Sequence, residues 1–390
     1  MTGPTAAADA DVLVVGAGVA GCAVARALAP DHDVTVLDRA GVAAGATARA
    51  AGEITVAPSF SDDPPLADYA NAFFREFSGT GEFTFTGAPS VELVEAGRGD
   101  VARRRVDRLR SNGLDVAFLA PDDLVGRFPW FDPAPVDGGV VFENTGFVDP
   151  YTYAVTLQAE AADDGAAFRT GTPVTGLVVE DGAARGVETA SGTLRAPHVV
   201  AAAGWRTGDL LRDVLEIPLR PYRTQCVVLE PERDTDESFP MGAIPDEHVY
   251  FRRERNGDLL VGGWSAAEDD PENAVRNADR AFGEHVAALL PRFFDGLGRT
   301  TLVDGWAGID GATPDTRPVV DAPDAAPDGL VVATGFHGRG IMLSPVAAAL
   351  VREFVTGEEC GLTREHFALD RFESTSPDFE FESISGGAGD

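Results

Sequence analysis

The sequence contains no lysine, so all 31 of its basic residues are arginines, and they face 63 acidic residues for a net charge of −32. Nucleic acids and anionic membranes bind to positive surface, so neither is an expected partner of so acidic a chain. Carboxylates hold water at high salt, which also screens their mutual repulsion, so the composition indicates a halophilic protein. A GC-rich genome that encodes arginine instead of lysine would leave the same composition.

Cysteine is also scarce, and long apolar runs are absent. The three cysteines, Cys22, Cys226 and Cys360, lack metal-ligand spacing and indicate no disulfide framework, as in a reducing cytosol. The residues before Asp11 lack the basic and apolar regions of a signal peptide, and no apolar run reaches the length of a membrane span. We therefore expect a cytoplasmic protein without a membrane span and without a bound metal.

The clearest motif is DVLVVGAGVAG at residues 11–21. An apolar run typical of a buried parallel strand breaks there into Gly16, Gly18 and Gly21. These glycines allow a tight turn, close approach of a pyrophosphate and close packing of the following helix. Asp38 ends the next strand-like run, 17 residues beyond Gly21, where a carboxylate can bind ribose hydroxyls. Together these features predict a dinucleotide-binding site.

A second glycine cluster follows the apolar run 330–333, which opens into GFHGRG at residues 335–340. The next helix is predicted to begin with Ser344 as N-cap and Pro345 in its first turn. Three glycines before a helix make an anion-friendly backbone, and the pyrophosphate already has its cradle near residue 16. The second cradle suits the pyrimidine edge of a flavin, which gains negative charge on reduction. The pair therefore indicates FAD rather than NAD.

The intervening segments predict a discontinuous arrangement of domains. The small residues of 41–55 could run extended beside a ligand or form an ordinary surface loop. Separated strand patterns between 217 and 299, with a helix near 274–290, indicate an inserted domain. Arg98–Ser111 is predicted to be a helix with a solvated arginine-rich face. We predict an FAD-binding domain of residues 1–85, 146–215 and 300–370, a substrate domain of residues 86–145 and 216–299, and a disordered acidic tail over 371–390.

Five motifs carry a resemblance to a known family: GAGVAG with Asp38, GFVDP, AAAGW, WAGIDGATPDTRP and ATGFHGRGIMLSP. In this order they resemble the FAD-dependent D-amino acid oxidase superfamily, in particular its glycine oxidase, sarcosine oxidase and sarcosine oxidase beta-subunit group. The resemblance implies an α/β fold with a Rossmann-like FAD-binding domain of the glutathione reductase type. Into it an α+β substrate domain with a mostly antiparallel sheet is inserted. The implied reaction oxidises the carbon–nitrogen bond of an amino acid or secondary amine by hydride transfer to flavin N5, and the imine is then hydrolysed.

The same resemblance implies most of the cofactor contacts. They run from the pyrophosphate and ribose, through the flavin side and the adenine, to the segments near the isoalloxazine ring. In that order the residues are Gly16, Gly18, Val19, Ala20, Gly21, Asp38 and Arg39; Thr47, Arg49, Ala51, Gly52 and Glu53; Val174; and Ala203, Gly204, Trp205, Gly338, Arg339, Gly340, Ile341 and Met342.

Several departures from the family pattern bear on the chemistry. Sarcosine-type oxidases use one lysine to activate oxygen and another to bind the substrate carboxylate, and Met342 stands at the second place. Ile309 and Asp310 follow the WAG segment, where glycine oxidases carry a carboxylate-binding arginine. The missing lysine favours a dehydrogenase that uses an electron carrier over an oxidase that uses oxygen. Since no cysteine lies beside the second glycine turn, the FAD is predicted to be noncovalent.

Four residues are candidates for catalytic roles. Arg252 and Arg339 could anchor a carboxylate through two parallel hydrogen bonds, or each could form a surface salt bridge. His337 either accepts a proton or packs against the flavin, and Tyr250 is favoured as a wall of the pocket. Two other functions remain open: oxidation of a 2-hydroxy acid or glycerol phosphate, and a flavin-holding subunit of an oligomer or larger complex.

Overall fold

The computed structural model describes residues 8–384. Its strands are β1 Val12–Val15, β2 Val34–Leu37, β3 Glu53–Ile54, β4 Thr86–Gly87, β5 Ser90–Glu95, β6 Val116–Leu119, β7 Val136–Phe142, β8 Gly146–Phe147, β9 Ala167–Arg169, β10 Val174–Glu180, β11 Ala183–Thr189, β12 Gly192–Arg195, β13 His198–Ala201, β14 Arg220–Pro231, β15 Met241–Ile244, β16 Val249–Arg253, β17 Leu259–Ala267, β18 Thr300–Ala312, β19 Val319–Asp321 and β20 Leu330–Thr334. Its α-helices are α1 Val19–Leu28, α2 Val56–Ser59, α3 Pro64–Phe77, α4 Gly99–Ser111, α5 Pro121–Arg127, α6 Pro150–Asp163, α7 Thr207–Leu211, α8 Arg280–Phe293 and α9 Gly340–Thr356.

A six-stranded sheet carries the first glycine motif, with strand order β19-β20-β13-β1-β2-β9. Every neighbouring pair is parallel except β19 with β20. All residues of β1, β2 and β20 are buried, as expected when helices or a second layer cover both faces of a parallel sheet. Helices α1, α6 and α9 pack together on one face. This is the predicted Rossmann-like architecture.

An eight-stranded sheet forms the second layer, with strand order β18-β14-β17-β16-β15-β5-β7-β6. It is antiparallel throughout except where β5 lies parallel to β15. One face buries an aromatic cluster in which the rings of Phe251 and Phe294 meet edge to face at 4.9 Å, together with Phe282 and Phe293 of α8. The predicted mostly antiparallel sheet is therefore present.

Strand β18 is placed differently from its sequence assignment. Residues 300–312 were assigned to the FAD-binding domain, but β18 pairs along its whole length with β14, from Arg220–Ala312 to Pro231–Thr300. This thirteen-residue strand therefore belongs to the eight-stranded sheet, and its last residues reach the second glycine turn. The other predicted domain boundaries remain predictions.

Helix α9 begins earlier than the sequence indicated. It starts at Gly340, and Pro345 lies inside it as the sixth residue, where the missing N–H leaves the Ile341 carbonyl without its usual backbone donor. The Ser344 hydroxyl donates to the Ile341 carbonyl at 2.9 Å. This hydrogen bond replaces the one that the backbone N–H of a residue other than proline would donate from position 345. Similarly, α8 begins at Arg280 rather than near 274.

The prediction of a disordered tail is wrong for residues 371–384, and residues 385–390 lie outside the described part of the chain. The Phe381 ring stacks on Tyr222 at 5.2 Å and on His337 at 5.5 Å. Arg220 donates to the Phe379 carbonyl at 2.9 Å. Aromatic residues among the acids give this segment enough apolar surface to pack. Within residues 8–384, no helix is long and apolar enough to cross a membrane.

Candidate active site

The first glycine turn leaves no room for side chains at two of its three glycines. Gly16 has φ +112°, and a Cβ there would lie 2.3 Å from the Ala202 carbonyl oxygen. A Cβ on Gly21 would lie 1.9 Å from the Gly16 oxygen, so α1 packs directly against the turn. At Gly18 the nearest atom is the Thr47 hydroxyl at 3.4 Å, and α1 begins just beyond. The turn thus offers an open backbone at the N-terminus of a helix, as a pyrophosphate requires.

Asp38 and Thr47 hold this turn from either side. Asp38 accepts the Ala17 N–H at 2.9 Å and the Ala40 N–H at 2.7 Å. Thr47 accepts the Val19 N–H at 3.0 Å. Arg39 is exposed and pairs with Glu272, whose pKa is lowered to about 2 chiefly by its hydrogen bonds with Arg206. Asp38 therefore has a structural task in addition to its predicted contact with the ribose.

One cavity of about 1590 Å³ joins the first turn to the eight-stranded sheet. This volume exceeds the range of about 300–1,000 Å³ typical for a single small ligand, which suits a dinucleotide together with a substrate. Among the residues predicted to bind the cofactor, all except Gly21 lie on its wall. They are Gly16, Gly18, Val19, Ala20, Asp38, Arg39, Thr47, Arg49, Ala51, Gly52, Glu53, Val174, Ala203, Gly204, Trp205, Gly338, Arg339, Gly340, Ile341 and Met342.

The segment of small residues runs along this cavity rather than forming a detached loop. Gly52 has φ +77°, and a Cβ there would lie 2.1 Å from the Val148 carbonyl oxygen. Trp306 of β18 donates to the Arg49 carbonyl at 3.0 Å. The segment is thus held between the two large sheets, and Glu53 follows it at the start of β3.

The second glycine turn lies where β18 meets β20 and α9. Gly335 and Gly338 have φ of +71° and +79°, and His337 between them also has a positive φ of +52°. The Gly338 N–H donates to the Asp310 carboxylate at 2.8 Å, and the His337 N–H donates to the Gly311 carbonyl at 3.0 Å. The N–H groups of His337 and Gly338 are thus already bound within the protein, and the beginning of α9 lines the cavity beyond them. The anion-binding backbone predicted for this turn stays a prediction.

The structure places His337 behind the turn instead of on the cavity wall. Its ring is fully buried between Tyr222 and Phe381, and Nε2 lies 2.8 Å from the Glu382 carbonyl oxygen. Burial lowers the pKa of His337 to about 4, so the imidazole is neutral at ordinary pH. His337 is not among the residues that line the cavity. The contacts of His337 are therefore with Tyr222 and Phe381, and they support neither the predicted role of proton acceptor nor the predicted packing against the flavin.

Arg252 also makes its contacts within the protein rather than at the cavity. It is 4% exposed, its Nε donates to the Ala51 carbonyl at 2.7 Å, and it pairs with Glu254 at 3.0 Å. The guanidinium also lies over the Phe147 ring at 4.9 Å. Arg252 does not line the cavity, so its prediction as a carboxylate anchor is not supported. It joins β16 to the segment that precedes β3.

Arg339 and Tyr250 do line the cavity. Nη1 of Arg339 donates to the carbonyl and the hydroxyl of Thr316, and burial lowers the arginine pKa to about 10, so it stays charged. No carboxylate of residues 8–384 forms an ion pair with it. The Tyr250 ring covers Gly262, and burial raises its pKa well above the ordinary value, which agrees with a pocket wall.

Two features of the site were missed by sequence reasoning. The carboxyl of Glu53 is buried at the cavity, although the sequence indicated only a residue beside the flavin. Ile384 reaches the cavity wall near Gly338, from a segment predicted to be disordered. The alternation of acids with Phe379 and Phe381 was a strand-like signal that could have revealed a packed segment.

The parallel sheet, with two glycine turns that follow β1 and β20 at its carboxyl edge and line one cavity, defines a dinucleotide-binding enzyme of the flavoprotein class. The chain belongs to the family of FAD dependent oxidoreductases, whose model matches residues 11–354. FAD is therefore its cofactor, as predicted. The crowded Gly16 and Gly21, the open Gly18 and the turn before α9 fit this group.

Individual relatives agree with this family. The chain is 26% identical over 381 residues to the bifunctional protein ThiO/ThiG of Trichormus variabilis, covering 95% of this chain and 56% of that protein. It is 25% identical over 377 residues to the glycine oxidase of Bacillus subtilis, covering 93% and 98%. The chain spans about half the length of the first curated relatives that it matches.

A solved structure supports the fold. The crystal structure of glycine oxidase from Geobacillus kaustophilus superposes with a TM-score of 0.84 at 24% identity, covering 94% of this chain and 99% of that one. The predicted fold class is thereby confirmed, and the match to the family model confirms the family resemblance.

Proposed function

We propose that this protein oxidises the carbon–nitrogen bond of an amino acid or amine with bound FAD. The observation that carries the proposal is the continuous cavity, which leads from the nucleotide turn past the turn before α9 to the face of the eight-stranded sheet. When bound, FAD accepts a hydride from the substrate. The glycine oxidases and D-amino acid dehydrogenases among its relatives support a substrate of this class.

In this proposal the chain's own residues hold and orient the two ligands. The open backbone at Gly18 and the N-terminus of α1 bind the pyrophosphate, with Asp38 at the ribose. The turn at Gly338 and the N-terminus of α9 face the flavin's pyrimidine edge. Arg339 binds the substrate carboxylate through its Nε and Nη2, because its Nη1 is already held by Thr316. Tyr250 closes the side of the pocket.

The FAD is proposed to be noncovalent. Cys22 and Cys226 are buried, and burial raises the pKa of their thiols to about 12 and about 11, so neither is a ready nucleophile. Cys360 does not line the cavity. Acid precipitation should therefore release all the flavin into the supernatant, and flavin that stays with the precipitate would contradict this.

The first experiment is anaerobic. The protein is purified in molar salt, and glycine, sarcosine, proline, D-amino acids and 2-hydroxy acids are added separately while the flavin absorbance is followed. Bleaching by one amine class, and by no hydroxy acid, is expected. Bleaching by hydroxy acids or glycerol phosphate alone would refute C–N oxidation. A flavin that no substrate reduces would point to a subunit of a larger complex.

The acceptor is proposed to be an electron carrier, since the chain has no lysine to activate oxygen. Admitting air to the reduced protein should reoxidise the flavin slowly, while an artificial carrier should do so quickly. Rapid reoxidation by oxygen would make it an oxidase instead.

A further inference from the structure

Glu53 is a half-buried acid with one carboxylate oxygen that lacks a hydrogen-bond partner among the described residues. It follows Gly52, which has φ +77° and whose carbonyl accepts the Val148 N–H at 2.9 Å, and it lies on the cavity wall. Its Oε1 is shielded from solvent and has no hydrogen-bond partner among the described residues. An unpartnered buried carboxyl is costly to a folded protein, so its place on a ligand cavity points to a ligand group that completes it.

The charged and titratable groups around Glu53 do not complete it. Arg252 on β16 is its nearest cation, but that guanidinium is held by the Ala51 carbonyl and by Glu254. Tyr250 on the same strand and Cys226 on β14 also face it. Burial raises the pKa of both, so both are neutral at ordinary pH. Arg252 therefore favours negative charge at Glu53 from a distance, without binding it.

The other candidate proton acceptors are occupied or face elsewhere. The Asp310 carboxylate accepts the Gly338 N–H at 2.8 Å. His337 lies behind the second glycine turn. Glu92 and Asp246 line the cavity but pair with Arg105 and Arg98, respectively. Glu95 at the end of β5 also lines the cavity and its Oε1 also lacks a partner, but it lies among the charged side chains of Arg98, Asp246 and Arg292. Glu53, beside the neutral Tyr250 and Cys226, is the better placed of the two to exchange a proton with a substrate.

We propose that Glu53 is a catalytic residue that accepts a proton from the ammonium group of the substrate. This inference rests on the proposed function and specifies how the amine is recognised. An amine reaches the protein as an ammonium ion, whose nitrogen has no free electron pair with which to form a C=N bond. A carboxylate at Glu53 binds that ion, and this ligand is the partner that its Oε1 lacks.

The proton transfer balances within the site. One N–H bond of the substrate breaks and an O–H bond forms on Glu53, while the electron pair stays on nitrogen. The lone pair then forms the C=N bond as the α hydrogen leaves with its two electrons, and the oxidant is the FAD of the family chemistry. A low-dielectric site favours a neutral amine and acid over an ion pair, so burial assists the transfer.

The pH dependence of flavin reduction tests this role. Burial raises the pKa of Glu53 to about 8 despite the lowering effect of Arg252, so kcat/KM for anaerobic flavin reduction should fall below about pH 8. In Glu53→Gln the fall should begin at the pKa of the substrate amine. For an amine with a pKa near 10, only about 1% is free base at pH 8, so the variant should be about 100-fold slower there.

Glu254→Gln is the matched control, because it makes the same change beside Arg252 at a residue off the cavity wall. It should keep the native pH profile. Glu53→Ala should recover part of its rate with added formate, which a merely structural role would not give. An unchanged pH profile in Glu53→Gln, or no recovery of Glu53→Ala by formate, would overturn the proposal.

A readout independent of turnover separates this proposal from the proposed function. Infrared difference spectra between about pH 6 and pH 10 should show a protonated carboxyl band in the native protein and in Glu254→Gln but not in Glu53→Gln. Absence of that band from the native protein would overturn the proposal. If no amine reduces the native flavin, C–N oxidation fails, and proton acceptance from a substrate ammonium fails with it, even where the band is present.

Discussion

Arg252 and Arg339 differ in what their guanidinium groups contact. Arg252 is bonded to the Ala51 carbonyl and Glu254, whereas Arg339 faces the cavity with one nitrogen held by Thr316. The same type of side chain is therefore bound within the fold at one position and open to the cavity at the other.

Arg339→Gln should raise KM by about 10- to 100-fold while FAD remains bound, since a hydrogen bond to a charged group contributes about 1.5–3 kcal/mol. Arg252→Leu should instead lower the free energy of unfolding by about 3 kcal/mol, because it leaves Glu254 and the Ala51 carbonyl without their partner. Steady-state kinetics and denaturant unfolding in molar salt measure the two effects. The reverse pattern would show that the roles are exchanged.

The raised pKa of Glu53 should also make the free energy of unfolding depend on pH. Its pKa is raised from 4.5 to about 8, so its contribution to stability is complete below about pH 4.5 and is lost as pH rises toward 8. Glu53→Gln removes this dependence. The free energy of unfolding of the variant, relative to native, should therefore grow by about 1.4 kcal/mol per pH unit across that window. A constant difference from pH 5 to pH 8 would mean that Glu53 titrates normally.

At the scale of elements, Gly16 and Gly18 lie in the same turn between β1 and α1 but have different surroundings. A side chain at Gly16 would meet backbone and a positive φ, whereas one at Gly18 would meet only a hydroxyl at 3.4 Å. The two glycines can therefore be tested against each other.

Gly16→Ala should lower the free energy of unfolding by about 3 kcal/mol, because the strained φ and the Ala202 carbonyl both oppose it. Gly18→Ala should leave the stability of the FAD-free protein unchanged but weaken FAD binding by about 100-fold, because its methyl group occupies the space of the pyrophosphate. Thermal unfolding and flavin titration measure these effects. FAD binding of native strength in Gly18→Ala would place the pyrophosphate elsewhere.

Residues 371–384 form the other element that can be tested separately. A chain ending at residue 373 would lose the Phe381 stacking on Tyr222 and His337, and we expect about 2 kcal/mol lower stability. Solvated His337 should then recover a pKa near its ordinary 6.5 from about 4. Because the pKa of His337 is lowered in the native chain, the free energy of unfolding falls as pH falls from 6.5 toward 4. This pH-dependent fall should be smaller in the truncated chain.

A chain ending at residue 384 is the control for this truncation, since it keeps every contact described for the segment. NMR titration of His337 and thermal unfolding would compare the two. Equal pKa values in both chains would mean that burial by Phe381 does not set the histidine pKa.

For the whole molecule, the charge of −32 is the dominant property. The Debye length is about 10 Å at 0.1 M salt and about 3 Å at 1 M, so dilution exposes the carboxylates to one another. We expect the unfolding temperature to fall steadily as salt is diluted from molar to 0.1 M, and sucrose at equal osmolarity not to restore it. An unfolding temperature independent of salt would favour the GC-rich genome as the cause of the composition.

The sequence predicted those parts of the molecule that local chemistry determines. Gly16, Gly18 and Gly21 lie within one short segment, so their effect on the backbone could be predicted from the sequence. The apolar runs likewise predicted the buried strands β1 and β20. The family resemblance added the other residues predicted to bind FAD. All of the predicted cofactor residues except Gly21 line the cavity.

The errors concern features that distant contacts determine. His337 stacks on Phe381, which lies far along the chain. Arg252 donates to the Ala51 carbonyl, 201 residues away. The start of α9 depends on the Ser344 hydroxyl, which satisfies the Ile341 carbonyl. Neither periodicity nor composition reports such contacts.

Strand β18 has a kinetic consequence. It pairs with β14 along its whole length, receives the Trp306–Arg49 bond near its middle, and holds the Gly338 turn through Asp310. One continuous backbone thus runs from the eight-stranded sheet to the turn before α9, so a hinge between the sheet and this turn would have to break the strand. Association of substrate should accordingly proceed in a single bimolecular phase, without a slow isomerisation before the flavin is reduced.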